Sequence, residues 1–277
     1  MLVHIPCGPT LLKVKIYNTE FDWQRLRVSM PTPVSKTHGY SGLALMYRFE
    51  TTSGTSLYDE VSRSYNATVE QGASLTTSTK AVGTSSLTLT ASLDHSSKDY
   101  VQLPNITVPT GGFSLAFWFR GVAGLNTNAL LLTLNNASSH TITLTASTNK
   151  YLELFVRGGV VLTNYAIISK TAINDNTWRH LAIVWNSSGH VYTYENGTES
   201  YKYTSSDVYP PAGERTTALI GRSNTTSQWS WGGGVDDFRV YNKALSLSEI
   251  SELYSKDAKP STCSLMLDCL PSPVNNM

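Results

Sequence analysis

The sequence predicts an all-β fold: a two-sheet antiparallel jelly-roll sandwich with one short C-terminal helix, an N-terminal arm and a C-terminal tail. Three observations carry this expectation. Short segments with apolar residues at every second position recur between residues 43 and 241, separated by turn residues. A single segment has good helical spacing. No strand–helix–strand rhythm runs through the 277 residues, which argues against a parallel sheet with crossover helices.

Taken in order, residues 1–41 read as an arm and linker. Pro6, Pro9, Pro31 and Pro33 punctuate it, and "LLKVKIYN" supplies one strand in which Leu12, Val14 and Ile16 alternate. The sandwich is expected over residues 42–257. Its first strand, "LALMYRFE", alternates Leu43, Leu45, Tyr47 and Phe49, and "DYVQLP" is a short strand. "FSLAFWFR" sets Phe113, Leu115, Phe117 and Phe119 against Ser114, Ala116, Trp118 and Arg120. "ALLLTLN", "TITLTAS" and "KYLELFVRGG" follow. "WRHLAIVWN" sets Leu181, Ile183 and Trp185 against Trp178, His180, Ala182 and Val184. These two strands, apolar on both faces, suit the centre of two packed sheets. "HVYTYENGTESYKY" is a hairpin with Asn196-Gly197 as its type I′ turn. "TTALIGR" and "VDDFRVY" close the strand series. "ALSLSEISELYS" is the helix: Ser246 and Glu249 have capping-box spacing, and Leu247, Ile250 and Leu253 share a face. Residues 258–277 form a Pro/Ser tail with one apolar patch.

Composition narrows the function classes. The net charge is +1, only 15% of residues are charged, and the pI is about 7.7, so there is no basic signal for nucleic acid. No apolar run approaches the ~20 residues of a membrane span. The N-terminus lacks the basic start and apolar stretch of a signal peptide. Cys7, Cys263 and Cys269 all lie in the terminal extensions, so the sandwich is not disulfide-stapled; pairing of Cys263 with Cys269 and three free thiols both remain open. Six N-x-[ST] sequons, at Asn66, Asn105, Asn136, Asn186, Asn196 and Asn224, are a weak excess that does not establish secretion.

The order of motifs resembles the laminin-G-like, concanavalin A-like jelly-roll domains. The matching pieces are "GLALMYRFE", "YDEVSRSYNAT", "KDYVQLP", "FSLAFWFR", "TWRHLAIVW", "VYTYENGT", "ALIGR" and "GGVDDFRVYNKALSLSEISELY", covering about residues 42–256. The W-x-H-x-A strand and the final V-D-D-F-R-V-Y run are the most specific. The resemblance implies two antiparallel sheets with a concave face, often a Ca²⁺ ion at the sandwich edge, and members that bind sugars, proteins or lipids or serve as structural modules. Fold alone does not choose among these.

Asp236 stands in register with Phe238 and Val240, so it requires backbone N–H donors, a cation or a metal. The resemblance implies a calcium-ligating carboxylate there, with Glu50 and Asp59 as the available partners, since Ca²⁺ takes six to eight oxygens. The alternative is that Asp236 only accepts N–H bonds from a neighbouring turn. One departure weighs against the metal: the loop after Asp59 reads Ser62, Arg63, Ser64, Tyr65, and an arginine there can itself neutralise the carboxylate. As ligand contacts, Trp229 is a candidate sugar platform in a polar loop, and Trp118, Trp178 and His180 are candidates for the concave face, against the alternative of core packing. Trp231 is read as an inward-packing aromatic.

Catalysis is not expected. The sandwich glucanases carry E-x-D-x-x-E on a central strand, and this chain has no such run; Glu153 is the one acid of its central strands. There is no H-E-x-x-H, G-x-S-x-G or phosphate loop, and the glycines at 232–234 precede a strand, so they are no anion cradle. The leading expectation is a non-enzymatic structural or attachment component of a large extracellular-type assembly, such as a virion or surface appendage, joined to neighbouring subunits through its arm or tail. The alternative is a carbohydrate-binding lectin-like module; a sandwich-fold glycoside hydrolase is a distant third. Either leading reading places the chain outside cells or on a virion surface.

Overall fold

The computed structural model of the chain describes residues 2–7, 10–15, 41–50, 55–92, 99–136, 140–158, 161–204, 210, 212–223 and 229–257. They fall into two units. In the first, β1 (Leu2–Cys7) pairs antiparallel with β2 (Thr10–Lys15), from Leu2 opposite Lys15 to Cys7 opposite Thr10. The arm therefore holds a hairpin where one strand was expected: "LVHIPC" is extended despite Pro6, which a two-stranded ribbon tolerates because each strand has a free edge. The tail with Cys263 and Cys269 lies outside the described residues.

The second unit, Gly39–Pro260, is the sandwich. Its strands in chain order are β3 (Leu43–Tyr47), β4 (Ser56–Leu57), β5 (Ala67–Glu70), β6 (Ser74–Thr76), β7 (Ser86–Leu89), β8 (Tyr100–Gln102), β9 (Ile106–Val108), β10 (Phe113–Gly121), β11 (Leu130–Asn135) and β12 (Thr141–Ala146). Then follow β13 (Leu152–Gly158), β14 (Val161–Ile167), β15 (Arg179–Trp185), β16 (Val191–Glu195), β17 (Thr198–Tyr203), β18 (Gly213–Arg215), β19 (Thr217–Ile220), β20 (Gly233–Tyr241) and the helix α1 (Leu247–Asp257). One eight-stranded sheet runs β17-β16-β15-β10-β20-β7-β6, with β3 also paired to β20. The other runs β14-β13-β12-β11-β19-β8-β5-β4, and β18 pairs with β9 in a separate ribbon. The β16–β17 turn carries positive φ at both Asn196 (52°) and Gly197 (75°), as a type I′ turn requires.

The core lies between the two large sheets. Phe113, Leu115, Phe117 and Phe119 of β10 and Leu181, Ile183 and Trp185 of β15 are all buried there, with Phe113 against Trp185 at 5.7 Å and Phe117 against Phe238 at 5.5 Å. The opposite faces of the same strands are apolar for a different reason. Ala116, Ala182 and Val184 form a low seat for Ile250 and Leu253 of α1. The helix starts as expected: the Ser246 N–H donates to Glu249 Oε2 (2.9 Å), the Glu249 N–H donates to Ser246 Oγ (3.3 Å), and Lys243 Nζ donates to Glu249 Oε1 (2.6 Å). Leu247, expected on the buried face, is 57% exposed.

One irregularity in β20 changes the reading of its aspartates. The pairing with β10 slips between Ala116 and Trp118, and Asp237 has φ 47°. This is a β-bulge. Val235 and Phe238 both enter the core, three residues apart, while Asp236 sits opposite Trp118 on the face away from it. Simple alternation had placed Asp236 with Phe238; the extra residue corrects that.

Candidate functional site

The two glycines before the bulge are demanded by packing. A Cβ on Gly234 would lie 2.6 Å from the Trp178 indole, and one on Gly233 (φ 147°) would lie 1.9 Å from the Arg120 carbonyl. Trp178 thus lies against bare backbone, half-buried, with the Arg120 guanidinium 5.6 Å from its ring. Trp231 is fully buried and donates its indole N–H to the Arg120 carbonyl (3.0 Å). Trp229 is partly buried against the core.

Trp118 and His180 are opposite one another on β10 and β15, ring centres 5.4 Å apart, and Tyr254 of α1 closes over both at 5.7 and 6.1 Å. Only 6% and 2% of their surface is accessible, so both are packing residues beneath the helix instead of the lining of an open face. Burial holds the His180 imidazole neutral, pushing its pKa down to about 3, and the nearby Arg239 guanidinium acts in the same direction. Of the aromatic candidates, Trp178 and Trp229 keep access to solvent.

The three carboxylates named as metal ligands divide. Asp59 is fully buried and saturated: Oδ1 accepts the N–H groups of Met46 (3.0 Å) and Val61 (3.1 Å), and Oδ2 accepts the N–H (3.0 Å) and hydroxyl (2.7 Å) of Ser62. Arg63, the expected neutraliser, instead reaches Glu60 at 3.4 Å. Asp236 and Glu50 both hold the segment before β7. Asp236 Oδ2 accepts the N–H groups of Ala81 and Val82, each at 3.0 Å, and Glu50 Oε2 accepts the N–H of Thr84 (2.8 Å) and its hydroxyl. Each retains one buried oxygen, Asp236 Oδ1 and Glu50 Oε1, with no hydrogen-bond partner. Desolvation pushes the Asp236 carboxyl up to about 7; the two N–H donors oppose this, and the charges of Asp237 and Glu50 add to it. Among the described residues no three His, Cys, Asp or Glu side chains converge on a metal position, so the predicted trio does not assemble. Asp59 is an anchor, and Glu50 with Asp236 is a pair.

A site that sequence reasoning missed lies where β3, the end of β20 and the β9–β18 ribbon meet. A cleft of about 500 Å³ has Leu45, Ile106 and Val240 among its lining, all buried core side chains. Around these stand Tyr65, Asn105, Thr107, Glu214 and Asn242. Tyr65 belongs to the turn 58–65, which carries three exposed large apolar residues: Tyr58 (47%), Val61 (45%) and Tyr65 (55%). The turn is not loose. Asp59 ties it to the β3 backbone, the Glu60 N–H donates to the Met46 carbonyl (2.9 Å), and the Tyr47 hydroxyl donates to the Tyr65 carbonyl. The apolar triplet has i, i+3, i+7 spacing, which reads as one face of a helix, so pattern alone did not mark it as an exposed turn.

Catalytic geometry is not seen around Glu153. Burial raises its pKa, but its cross-strand neighbours are Thr145 and Ile167, so no second carboxylate faces it across the strands.

This architecture is a lectin-like β-sandwich. The chain belongs to the concanavalin A-like lectin/glucanases superfamily, whose Laminin_G_3 model matches residues 95–251. No curated protein matches the chain in sequence. Among solved structures it is similar to the binding domain of Paraclostridial Mosquitocidal Protein 1, with TM-score 0.59 and 16% identity over 79% of this chain and 53% of that one. It is similar also to botulinum neurotoxin type C, for which cell entry is dependent upon interaction with two ganglioside molecules (TM-score 0.60, 14% identity, 78% and 51%). A third is domain 4 of AbnA, a GH43 extracellular arabinanase from Geobacillus stearothermophilus, in complex with arabinotriose (TM-score 0.59, 18% identity, 76% and 98%). The chain spans about half the length of the toxin chains it matches. At these identities the likeness is one of fold. No helix among the described residues is long and apolar enough to cross a membrane.

Proposed function

We propose that this chain is a non-catalytic attachment module that recognises carbohydrate and works outside cells or on a virion surface as part of a larger assembly. The observation that carries the reading is the cleft at β3 with its rigidly tied, apolar turn 58–65. Exposed aromatic side chains beside convergent amide, hydroxyl and carboxylate groups are what a sugar needs: a flat ring for its C–H face and fixed polar partners for its hydroxyls. Similar folds that hold arabinotriose or depend on gangliosides support the ligand class. A glycan array probed with the full chain tests it, and saturable binding to a defined glycan set is the expected result. An array without signal overturns the reading.

The assembly part of the proposal is supported by the β1–β2 hairpin, which forms a unit distinct from the sandwich. Such a hairpin offers free strand edges to a neighbouring subunit. Deleting residues 1–38 is expected to abolish incorporation into the assembly while the sandwich melts unchanged. Calcium, in this proposal, is held by Glu50 Oε1 and Asp236 Oδ1, two buried carboxylate oxygens without hydrogen-bond partners, with its remaining ligands drawn from main-chain carbonyls and water.

A further inference from the structure

We infer that the cleft between β3 and the β9–β18 ribbon selects neutral oligosaccharides, with the Tyr65 ring as stacking platform and Glu214, Asn105 and Asn242 as hydroxyl partners. The inference rests on the carbohydrate reading above and names its site and ligand charge. Five separate segments supply the lining, and the polar groups among them are two amides, one hydroxyl from Thr107, the Tyr65 phenol and one carboxylate. Among the described residues, no lysine, arginine or histidine lines it. An anionic sugar such as a sialoside would therefore meet the Glu214 carboxylate with no cation to offset it, a repulsion felt at close range. A neutral sugar meets complementary groups. A carboxylate accepts two or more hydroxyl protons, and each amide both donates and accepts. Leu45, Ile106 and Val240 are buried and only close the floor of the cleft, so contact with ring C–H groups falls to the exposed Tyr65 ring.

Pre-organisation supports the assignment. The turn carrying Tyr65 is fixed by the four hydrogen bonds that Asp59 accepts and by the bond from the Tyr47 hydroxyl to the Tyr65 carbonyl. A 55%-exposed aromatic ring on a turn fixed this firmly loses little freedom on binding, so more of the contact energy appears as affinity. The bond holding the turn at Tyr65 uses its main-chain oxygen, so Tyr65→Ala removes the platform and leaves the turn in place. Likewise the Glu214 carbonyl accepts from Asn136 Nδ2 (3.3 Å) and survives in Glu214→Gln.

The experiment is titration calorimetry on the full chain, produced in a host without N-glycosylation because Asn105 heads an N-x-T sequon. The probes are neutral tri- to hexasaccharides, including arabinotriose, and their sialylated counterparts. The expected result is saturable binding of a neutral probe, tenfold or more weaker with Tyr65→Ala, several-fold weaker with Glu214→Gln, and unchanged with Trp178→Ala. Neutral binding that both cleft variants leave untouched overturns the assignment of the cleft while the carbohydrate reading stands. Binding confined to sialylated probes overturns the charge selectivity in the same way. If no probe binds and the glycan array is also blank, the functional reading itself falls and the inference with it.

Discussion

Asp59, in the turn after β4, and Asp236, inside β20, are both buried completely, and both looked like metal ligands. Their surroundings make them opposites. The turn around Asp59 supplies three donors and β3 a fourth, so the carboxylate knots the turn 58–65 to β3. The segment before β7 supplies two donors to one oxygen of Asp236 and none to the other. Burial is thus common to both, and the count of satisfied lone pairs separates a structural anchor from a site with unused binding capacity.

The same substitution should therefore act differently at the two positions. Asn in place of Asp59 keeps one acceptor oxygen but turns an NH₂ group towards donors already there. Asp59→Asn is expected to destabilise by about 2–4 kcal/mol, read by denaturant midpoint at pH 7.5. Asp236→Asn keeps an oxygen for Ala81 and Val82 and removes a charge that burial disfavours, so at that pH it should be neutral or stabilising. Similar losses at both positions would break the distinction.

The second effect is the pH dependence of Asp236. Its carboxyl is raised from an ordinary 3.8 to about 7, so across that interval the folded chain holds a proton that the unfolded chain has released. Stability from this group is greatest below pH 4, declines as pH rises towards 7, and is flat above; the shift corresponds to about 4 kcal/mol at most. His180 has the opposite slope, since its depressed pKa costs stability as pH falls below 6.5 towards 3. The difference between wild type and Asp236→Asn isolates the carboxylate. In EDTA the two should converge near pH 4.5 and separate by pH 8, with the variant the more stable. Parallel curves would mean that the Asp236 proton is not linked to folding.

Calcium gives a smaller and conditional shift. A ligand at a hundred times its Kd stabilises by about 2.7 kcal/mol. Millimolar Ca²⁺ should raise the wild-type melting temperature at pH 8, leave Asp236→Asn where it was, and still raise Asp59→Asn. A response that disappears with Asp59→Asn and persists with Asp236→Asn would reverse the assignment of the two carboxylates.

Much of the frame was legible because it depends on local pattern. β10 and β15 were placed by alternating apolar residues, the β16–β17 turn by Asn196-Gly197, and the start of α1 by Ser246 and Glu249. The bulge at Asp237 was not legible. One added residue leaves the composition of a strand unchanged but moves Asp236 to the other face, and only pairing with β10 reveals it. The same blind spot hid the role of Trp118 and His180: the sequence showed that β10 and β15 are apolar on both faces, yet not that a helix covers the second one. The cleft was least legible of all, since its lining comes from positions 44–45, 65, 104–107, 214, 240 and 242. Asp59 is the instructive case. "Asp-Glu-Val-Ser" is a short polar self-capping pattern, in which a carboxylate accepts N–H groups two and three residues on, and that local reading competes directly with metal ligation.

The smallest effect tests that local reading. Ser62 gives Asp59 both its N–H and its hydroxyl, at 3.0 and 2.7 Å, and only the hydroxyl is lost in Ser62→Ala. One charge-assisted bond on a partly exposed turn is worth about 1 kcal/mol, because three donors remain and the freed side of Oδ2 can be reached by water. The variant should thus lose about a quarter to a half of what Asp59→Asn loses, with no change in its response to Ca²⁺. The Tyr65 ring, two bonds further along the turn's support, should keep its place and glycan affinity should fall less than twofold. A Ser62→Ala protein as unstable as Asp59→Asn would show that the hydroxyl, not the carboxylate, organises the turn. One indistinguishable from wild type in stability would leave the backbone N–H groups as the whole of the knot.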